Sequence, residues 1–141
     1  MSAGGGMSSR ARGVLRAAAV VLSAIAVSGC AAPTTPGSAV ASRFYRAVDA
    51  GHWGRACALL APETKSQLEQ SAGSACPVAL SRENLRAPGP VGSSVVYGTM
   101  TLTRFEQDTV FVARFRSGWK VMAAGCSPVP GHPYDCRLQG G

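Results

Sequence analysis

A chain of 141 residues with a formal net charge of +7 is long enough for one domain with a modest hydrophobic core. The basic residues are scattered along the sequence, which disfavours nucleic-acid binding because that function needs Lys and Arg grouped on one surface. Three of the positive charges, Arg10, Arg12 and Arg16, precede the first apolar run. The remainder is mildly basic, a balance that suits solubility or loose contact with anionic lipids or wall polymers.

The first 29 residues have the three zones of a secretory signal peptide. Basic residues come first, an apolar run of eleven residues covers 17–27, and small residues follow it. The run is shorter than the roughly 20 residues of a membrane-spanning helix. The sequence therefore predicts a signal peptide at 1–29, with its N-terminus kept on the cytoplasmic side.

The end of this segment carries a short motif. Val27, Ser28, Gly29 and Cys30 place one aliphatic and two small residues before a cysteine, which resembles the bacterial lipobox. The resemblance implies cleavage before Cys30, a diacylglyceryl group on its sulfur and a further acyl chain, such as palmitate, on the new N-terminus. It implies a lipoprotein held by membrane lipid on the extracellular side of the cell membrane. The alternative is an ordinary secreted protein with a coincidental cysteine.

A linker and one folded domain are predicted after this motif. The segment 30–38 consists of Cys30 and a stretch with two prolines and small polar residues, so we expect a flexible, extended linker there. Residues 39–141 form the single domain. Its first half has apolar residues at helical spacing, with Gly51 and Pro62 placed to end and begin helices. The predicted helices span 39–50, 53–60, 62–71 and 76–80.

The third helix is expected to be mostly solvated, because Leu68 is its only large apolar residue. After a Pro- and Gly-rich stretch at 87–92 the apolar period changes from helical to two, which is typical of strands. The predicted strand elements are a strand at 95–103, a turn at 106–108, a strand at 109–116, a tight turn at Ser117-Gly118, a strand at 119–124, and, after a loop, a short edge strand at 134–138.

Helices followed by an antiparallel meander resemble the nuclear transport factor two-like, or SnoaL-like, cone fold. The similarity to the first helical pair of that family lies in Phe44-Tyr45, 50–53 and 58–64. Four later segments are similar to a group of small uncharacterised actinobacterial exported proteins: 108–111, 118–121, 123–126 and 133–136. The resemblance implies an α+β fold, with N-terminal helices packed on a curved, cone-like antiparallel β-meander, and export. It implies no activity.

Cysteine parity agrees with export. If Cys30 carries lipid, four cysteines remain, and an even number can pair completely in an oxidising compartment. Three pairings are possible, and nearness in sequence across turn-rich segments favours Cys57–Cys76 and Cys126–Cys136. A zinc site would need closer cysteines or a histidine partner at short spacing, so we expect no metal.

No catalytic residue is predicted. The histidines, His52 and His132, fall in a turn and in a Gly-Pro loop, which is typical of surface positions. A general base needs an orienting partner, and only Asp49 lies close to a histidine in sequence. Nucleophile and phosphate-binding signatures are absent. Three charged residues are expected to form a solvated hairpin end: Arg104, Glu106 and Asp108.

These observations favour an anchored, non-catalytic module that binds a small ligand or an envelope protein on the outer membrane face, without a cofactor and without nucleic acid. Two alternatives stay open, a small-pocket enzyme of the isomerase or dehydratase kind on a cone fold and a purely structural envelope protein. A closed cavity with a buried carboxylate or histidine would favour the enzyme, whereas a sheet face filled with apolar side chains would oppose it.

Overall fold

A computed structural model describes residues 34–140 of the protein, which form helices first and strands afterwards. The elements are α1 (Pro36–Asp49), α2 (Trp53–Leu59), α3 (Pro62–Ala72), α4 (Cys76–Arg82), β1 (Val91–Tyr97), β2 (Met100–Phe105), β3 (Thr109–Phe115), β4 (Gly118–Val129) and β5 (His132–Gln139). The strands form one antiparallel sheet in the order β1-β2-β3-β4-β5, so each pairs with its neighbour in sequence. The predicted α+β class, with helices preceding an antiparallel meander, is confirmed.

Helix α1 begins earlier than the sequence predicted, so residues 36–38 of the predicted linker are helical. Thr35 caps the helix: its hydroxyl accepts from the backbone N–H of Ser38 at 3.1 Å, and its own N–H donates to the Ser38 hydroxyl at 2.9 Å. Pro36 suits the first helical position, where no N–H partner is required. Proline and small polar residues disfavour the interior of a helix, but at 35–38 they favour its start.

Helix α3 has a solvated outer side and a narrow buried inner side. Leu68 is only 5% exposed, and Thr64 is 1% exposed. The Thr64 hydroxyl donates to the backbone carbonyl of Met122 on β4 at 2.8 Å. The prediction of a mostly solvated helix is confirmed, since seven of its eleven residues are exposed, and α4, β4 and β5 pack against its inner side.

The apolar alternation across 95–103 comes from two strands rather than one. β1 ends at Tyr97 and β2 begins at Met100, with Gly98 and Thr99 forming the turn between them. Gly98 has a φ of +59°, and glycine at the first of two central positions is what a type II′ hairpin turn requires. A turn of two residues does not interrupt an apolar alternation with a period of two. The sequence pattern therefore did not reveal that the chain reverses direction at Gly98 and Thr99.

The C-terminal half of the sheet is longer than predicted. β4 continues through the predicted loop to Val129, and β5 begins at His132 instead of residue 134. β4 no longer pairs with β3 beyond Cys126, so one edge of this part of β4 is open. Pro128 is tolerated there because the N–H that proline lacks is not needed on an open edge. Gly118 is the first residue of β4, which places the β3–β4 turn one residue earlier than predicted.

The core lies between the helices and one face of the sheet. Helix α1 packs across β2, β3 and β4. Phe44 of α1 is fully buried, as are the sheet residues Val110, Val112, Val121 and Ala124. Apolar side chains, with the buried threonines Thr101 and Thr103 among them, thus fill the sheet face under α1.

Gly37→Ala should destabilise the domain. A Cβ at position 37 would lie 2.5 Å from the side chain of Thr101, so α1 or β2 would have to shift, and overpacking of this kind costs about 1–3 kcal/mol. Gly54→Ala is the matched control, because its Cβ would meet nothing within 4 Å and alanine favours the helix. Urea unfolding gives the two free energies; equal midpoints would contradict the close approach of α1 to β2.

Candidate functional site

The predicted lipid attachment lies outside the described residues. The signal peptide and the motif Val27, Ser28, Gly29 and Cys30 all precede Thr34, where the described part of the chain begins. Within residues 34–140, no helix combines the length and the apolarity needed to cross a bilayer. Attachment of the chain to lipid therefore stays a prediction.

The pairing of the other four cysteines is confirmed. Cys57 at α2 bonds to Cys76 at the start of α4, 19 residues later. Cys126 on β4 bonds to Cys136, its direct cross-strand partner on β5, 10 residues later. Each closure is expected to contribute about 2–4 kcal/mol. The first disulfide joins α2 to α4, and the second joins the edge strand β5 to β4.

Asp108 is the main departure from the predicted solvated turn. Its carboxylate points inward and accepts four hydrogen bonds. The Tyr45 hydroxyl donates to Oδ2, as does the backbone N–H of Gly125 at 3.1 Å. The backbone N–H groups of Thr109 and Cys126 both donate to Oδ1 at 2.6 Å. The prediction was wrong for Asp108 because backbone donors of β3 and β4 converge on this carboxylate.

The other two charged residues of this turn remain exposed. The Arg104 guanidinium donates to the Tyr134 hydroxyl at 3.3 Å. The Glu106 side chain lies against Gly89 in the loop before β1. Neither side chain takes part in the hydrogen bonds of the Asp108 carboxylate, so the three charged residues do not form one cluster.

Tyr45 is the buried partner of Asp108. The ring is 3% exposed and makes edge contacts with Phe44 and Phe105 at centroid distances of 5.3 and 5.7 Å. Burial, followed by the hydrogen bond to Asp108, raises the pKa of Tyr45 well above its ordinary value. The phenol therefore donates to the carboxylate at neutral pH, and this pair clamps α1 to the sheet.

A cavity of about 130 Å³ borders this pair, with Leu85, Ser127 and Arg137 among its lining residues. Its volume is below the roughly 300–1,000 Å³ of ordinary small-molecule sites. No sequence spacing linked Tyr45 to Asp108, which are 63 residues apart. Sequence reasoning therefore missed this contact, and the only signal was the presence of an acid directly before a buried strand.

A ligand-sized surface lies instead between the first two helices. This α1–α2 groove has a volume of about 510 Å³. Its lining consists of four basic and three small or apolar residues: Arg43, Arg46, His52, Arg55, Ala47, Ala58 and Leu59. A second cleft, of about 300 Å³ between α3 and β5, is lined mainly by neutral side chains, with one acid and one base, Glu83 and Arg137.

The candidate acid–base residues are not brought together. His52 is exposed and lines the α1–α2 groove, and its side chain makes no helix-capping hydrogen bond. Asp49 lines a different cleft, beside Pro90 and Phe105. His132 is exposed at the β4–β5 turn. In the described part of the chain, no three His, Cys, Asp or Glu residues are grouped in a way that would hold a metal ion.

Comparison with protein-family models, with curated proteins and with solved structures finds no match for this chain. The resemblances to the lipobox and to the cone fold therefore stay predictions.

Tyr45→Phe should lower the free energy of unfolding by about 1.5–3 kcal/mol, because it removes a hydrogen bond to a charged acceptor. Tyr97→Phe is the control, since that side chain is 62% exposed. Urea unfolding of the purified protein at neutral pH measures both. Combining Tyr45→Phe with Asp108→Asn should give less than the sum of the single effects, because the two groups share one interaction.

The raised pKa of Tyr45 adds a pH dependence to the same measurement. The native state holds the phenol proton more tightly than the unfolded chain, in which tyrosine titrates near pH 10. This contribution to stability is therefore complete below about pH 10 and is lost as the pH rises further. Tyr45→Phe should show a shallower alkaline loss of stability than the unsubstituted protein; identical alkaline slopes would count against the buried phenol.

Proposed function

We propose that this chain is an exported lipoprotein, anchored through Cys30 to the extracellular side of the cell membrane, and that its domain is a non-catalytic binding module. The pairing of the cysteines is the observation that carries the anchor. The two disulfides use four of the five cysteines and leave Cys30 outside them. Disulfides are typical of exported proteins, and Cys30 ends the stretch that resembles a lipobox.

The chemistry of the interior supports a function other than catalysis. An enzyme of the cone-fold kind needs an acid or base that is free to exchange a proton beside a cavity. The inward-facing acid, Asp108, has its acceptor positions occupied by Tyr45 and three backbone N–H groups. Within residues 34–140, apolar side chains and two buried threonines fill the sheet face under α1 and leave no titratable group there except Asp108 and Tyr45. The exposed His52 and Asp49 lie on different surfaces.

The α1–α2 groove is the surface that best suits binding. Three guanidinium groups, those of Arg43, Arg46 and Arg55, surround apolar lining residues, and all three arginines are exposed. Guanidinium forks bind carboxylates and phosphates, whereas apolar surface binds hydrocarbon or aromatic groups. The ligand class that matches both is a molecule or segment with an anionic group beside an apolar one.

Cys30→Ala should abolish lipidation, so that the protein is released from cells or stays unprocessed. Intact-mass spectrometry of the native protein should find a chain that begins at Cys30 and carries a glyceride, with no alkylatable thiol under denaturing, non-reducing conditions. The double variant Cys126→Ser/Cys136→Ser controls for loss of any cysteine and should remain anchored. Retention of Cys30→Ala in the membrane at the mature mass would overturn the anchor.

Arg46→Gln should weaken binding of an aromatic dianion to the α1–α2 groove. The probe is naphthalene disulfonate, titrated by equilibrium dialysis against the lipoprotein in nanodiscs of zwitterionic lipid. Loss of one charge-assisted hydrogen bond corresponds to an affinity loss of about tenfold. Arg82→Gln, at an exposed position at the end of α4, is the charge-matched control and should bind like the unsubstituted protein.

Equal binding by both arginine variants would exclude the α1–α2 groove as the binding surface.

The non-catalytic assignment has its own test on the same preparation. Turnover on a broad substrate panel that disappears in His52→Ala or Asp49→Ala would replace it with the enzymatic alternative.

A further inference from the structure

The tip of the β1–β2 hairpin exposes a cluster of apolar side chains. The exposed fractions of Val95, Val96, Tyr97 and Met100 are 39%, 50%, 62% and 38%. Within residues 34–140 these are four of the six large apolar side chains that are exposed; the other two lie apart, on α4 and at the end of β4. Clustering of this kind marks a surface that is covered in the working state of the protein.

The cluster is apolar on both faces of the sheet. Tyr97 and Met100 are direct cross-strand partners and share one face with Val95. Val96 points to the opposite face, because successive side chains of a strand alternate. A folded partner covers one face of a hairpin, whereas the interface of a bilayer surrounds an inserted tip on both sides. The arrangement therefore suits lipid better than a protein surface.

The chain leaves the domain beside this hairpin. The Thr35 hydroxyl lies 2.9 Å from the hydroxyl of Ser94 on β1, and β1 continues from Ser94 to Tyr97 over about 10 Å. Cys30 precedes Thr35 by five residues, which span at most about 18 Å when fully extended. Lipid on Cys30 would therefore hold this end of the sheet close to the membrane.

Charge at this end of the sheet favours an anionic lipid surface. Arg114 and Arg116 are exposed there, and the backbone N–H of Arg114 donates to the carbonyl of Thr99 in the hairpin turn at 2.8 Å. Between the start of β1 and the end of β4, the acidic residues are Glu106 and Asp108, which lie at the opposite end of β2 and β3. Basic residues beside an apolar tip are attracted to anionic headgroups.

We infer that the β1–β2 hairpin tip is a second membrane contact, which inserts into the interface of the bilayer that holds the Cys30 anchor. The inference rests on the proposed anchor and adds an orientation to it. Tyr97 lies at headgroup depth, where tyrosine is favoured, and Arg114 and Arg116 lie beside the headgroups. Helix α1 then rises from the membrane, and Arg46, ten residues after Pro36, lies about 15 Å along its axis.

The test measures the depth of the tip and the anchor in one sample. Tyr97→Trp lipoprotein is reconstituted into phosphatidylcholine–phosphatidylglycerol vesicles, with and without bromine in the acyl chains. The added tryptophan should emit at shorter wavelength and lose most of its intensity in brominated vesicles. Val78→Trp, on α4 at a similarly exposed valine, should do neither. The unsubstituted protein measures the background from Trp53 and Trp119.

Flotation and intact mass of each sample report the anchor separately from the tip. Lipidated protein that floats with vesicles while the Tyr97→Trp signal is unquenched overturns the tip contact and leaves the anchor in place. Protein without lipid on Cys30 that fails to float removes both. Met100→Trp repeats the measurement on β2 if Tyr97→Trp does not fold, and quenching equal to that of Val78→Trp also overturns the inference.

Discussion

The carboxylate of Asp108 is the point on which the arrangement of helix and sheet depends. It joins α1, through the Tyr45 hydroxyl, to the start of β3 and to β4 at Gly125 and Cys126. A partly buried carboxylate is stable only when hydrogen bonds replace its lost hydration. The four donors satisfy this condition and in doing so fix the crossing of α1 over the sheet. The carboxylate of Asp108 therefore stabilises the packing of α1 on the sheet.

The Tyr45–Asp108 pair and the disulfides lie away from the β1–β2 hairpin, so the two ends of the sheet are constrained differently. Asp108 and the Cys126–Cys136 bond lie at the end of the sheet remote from the β1–β2 hairpin, and Cys57–Cys76 ties the outer helices together. The hairpin end has neither, but it receives the N-terminus of α1 at Thr35. Covalent and charged constraints thus secure the end that faces away from the proposed anchor, while the other end keeps its apolar side chains exposed.

The parts of this fold that could be predicted are those determined by local chemistry. Helical spacing and Pro62 indicated the helices, and the nearness in sequence of the paired cysteines indicated the two disulfides, because each signal lies within a short stretch. The two-residue turn at Gly98 was missed because it does not disturb the strand period. The burial of Asp108 was missed because its partner Tyr45 is 63 residues away. The sequence around either residue contains no sign of the contact. The α1–α2 groove likewise depends on how two helices pack.

The edge of the sheet gives a further physical reason to expect a cover over the hairpin. Exposed edge strands invite association unless charges, prolines or bulges interrupt them. The bulge in β1 lies between Val91 and Ser93, and the second half of the strand, 94–97, contains no charged residue and no proline. That half is also where the apolar side chains are most exposed. A bilayer within reach of the five residues from Cys30 to Thr35 would cover these side chains and hold the edge of β1 away from other chains. The proposed anchor would then also protect this edge from association.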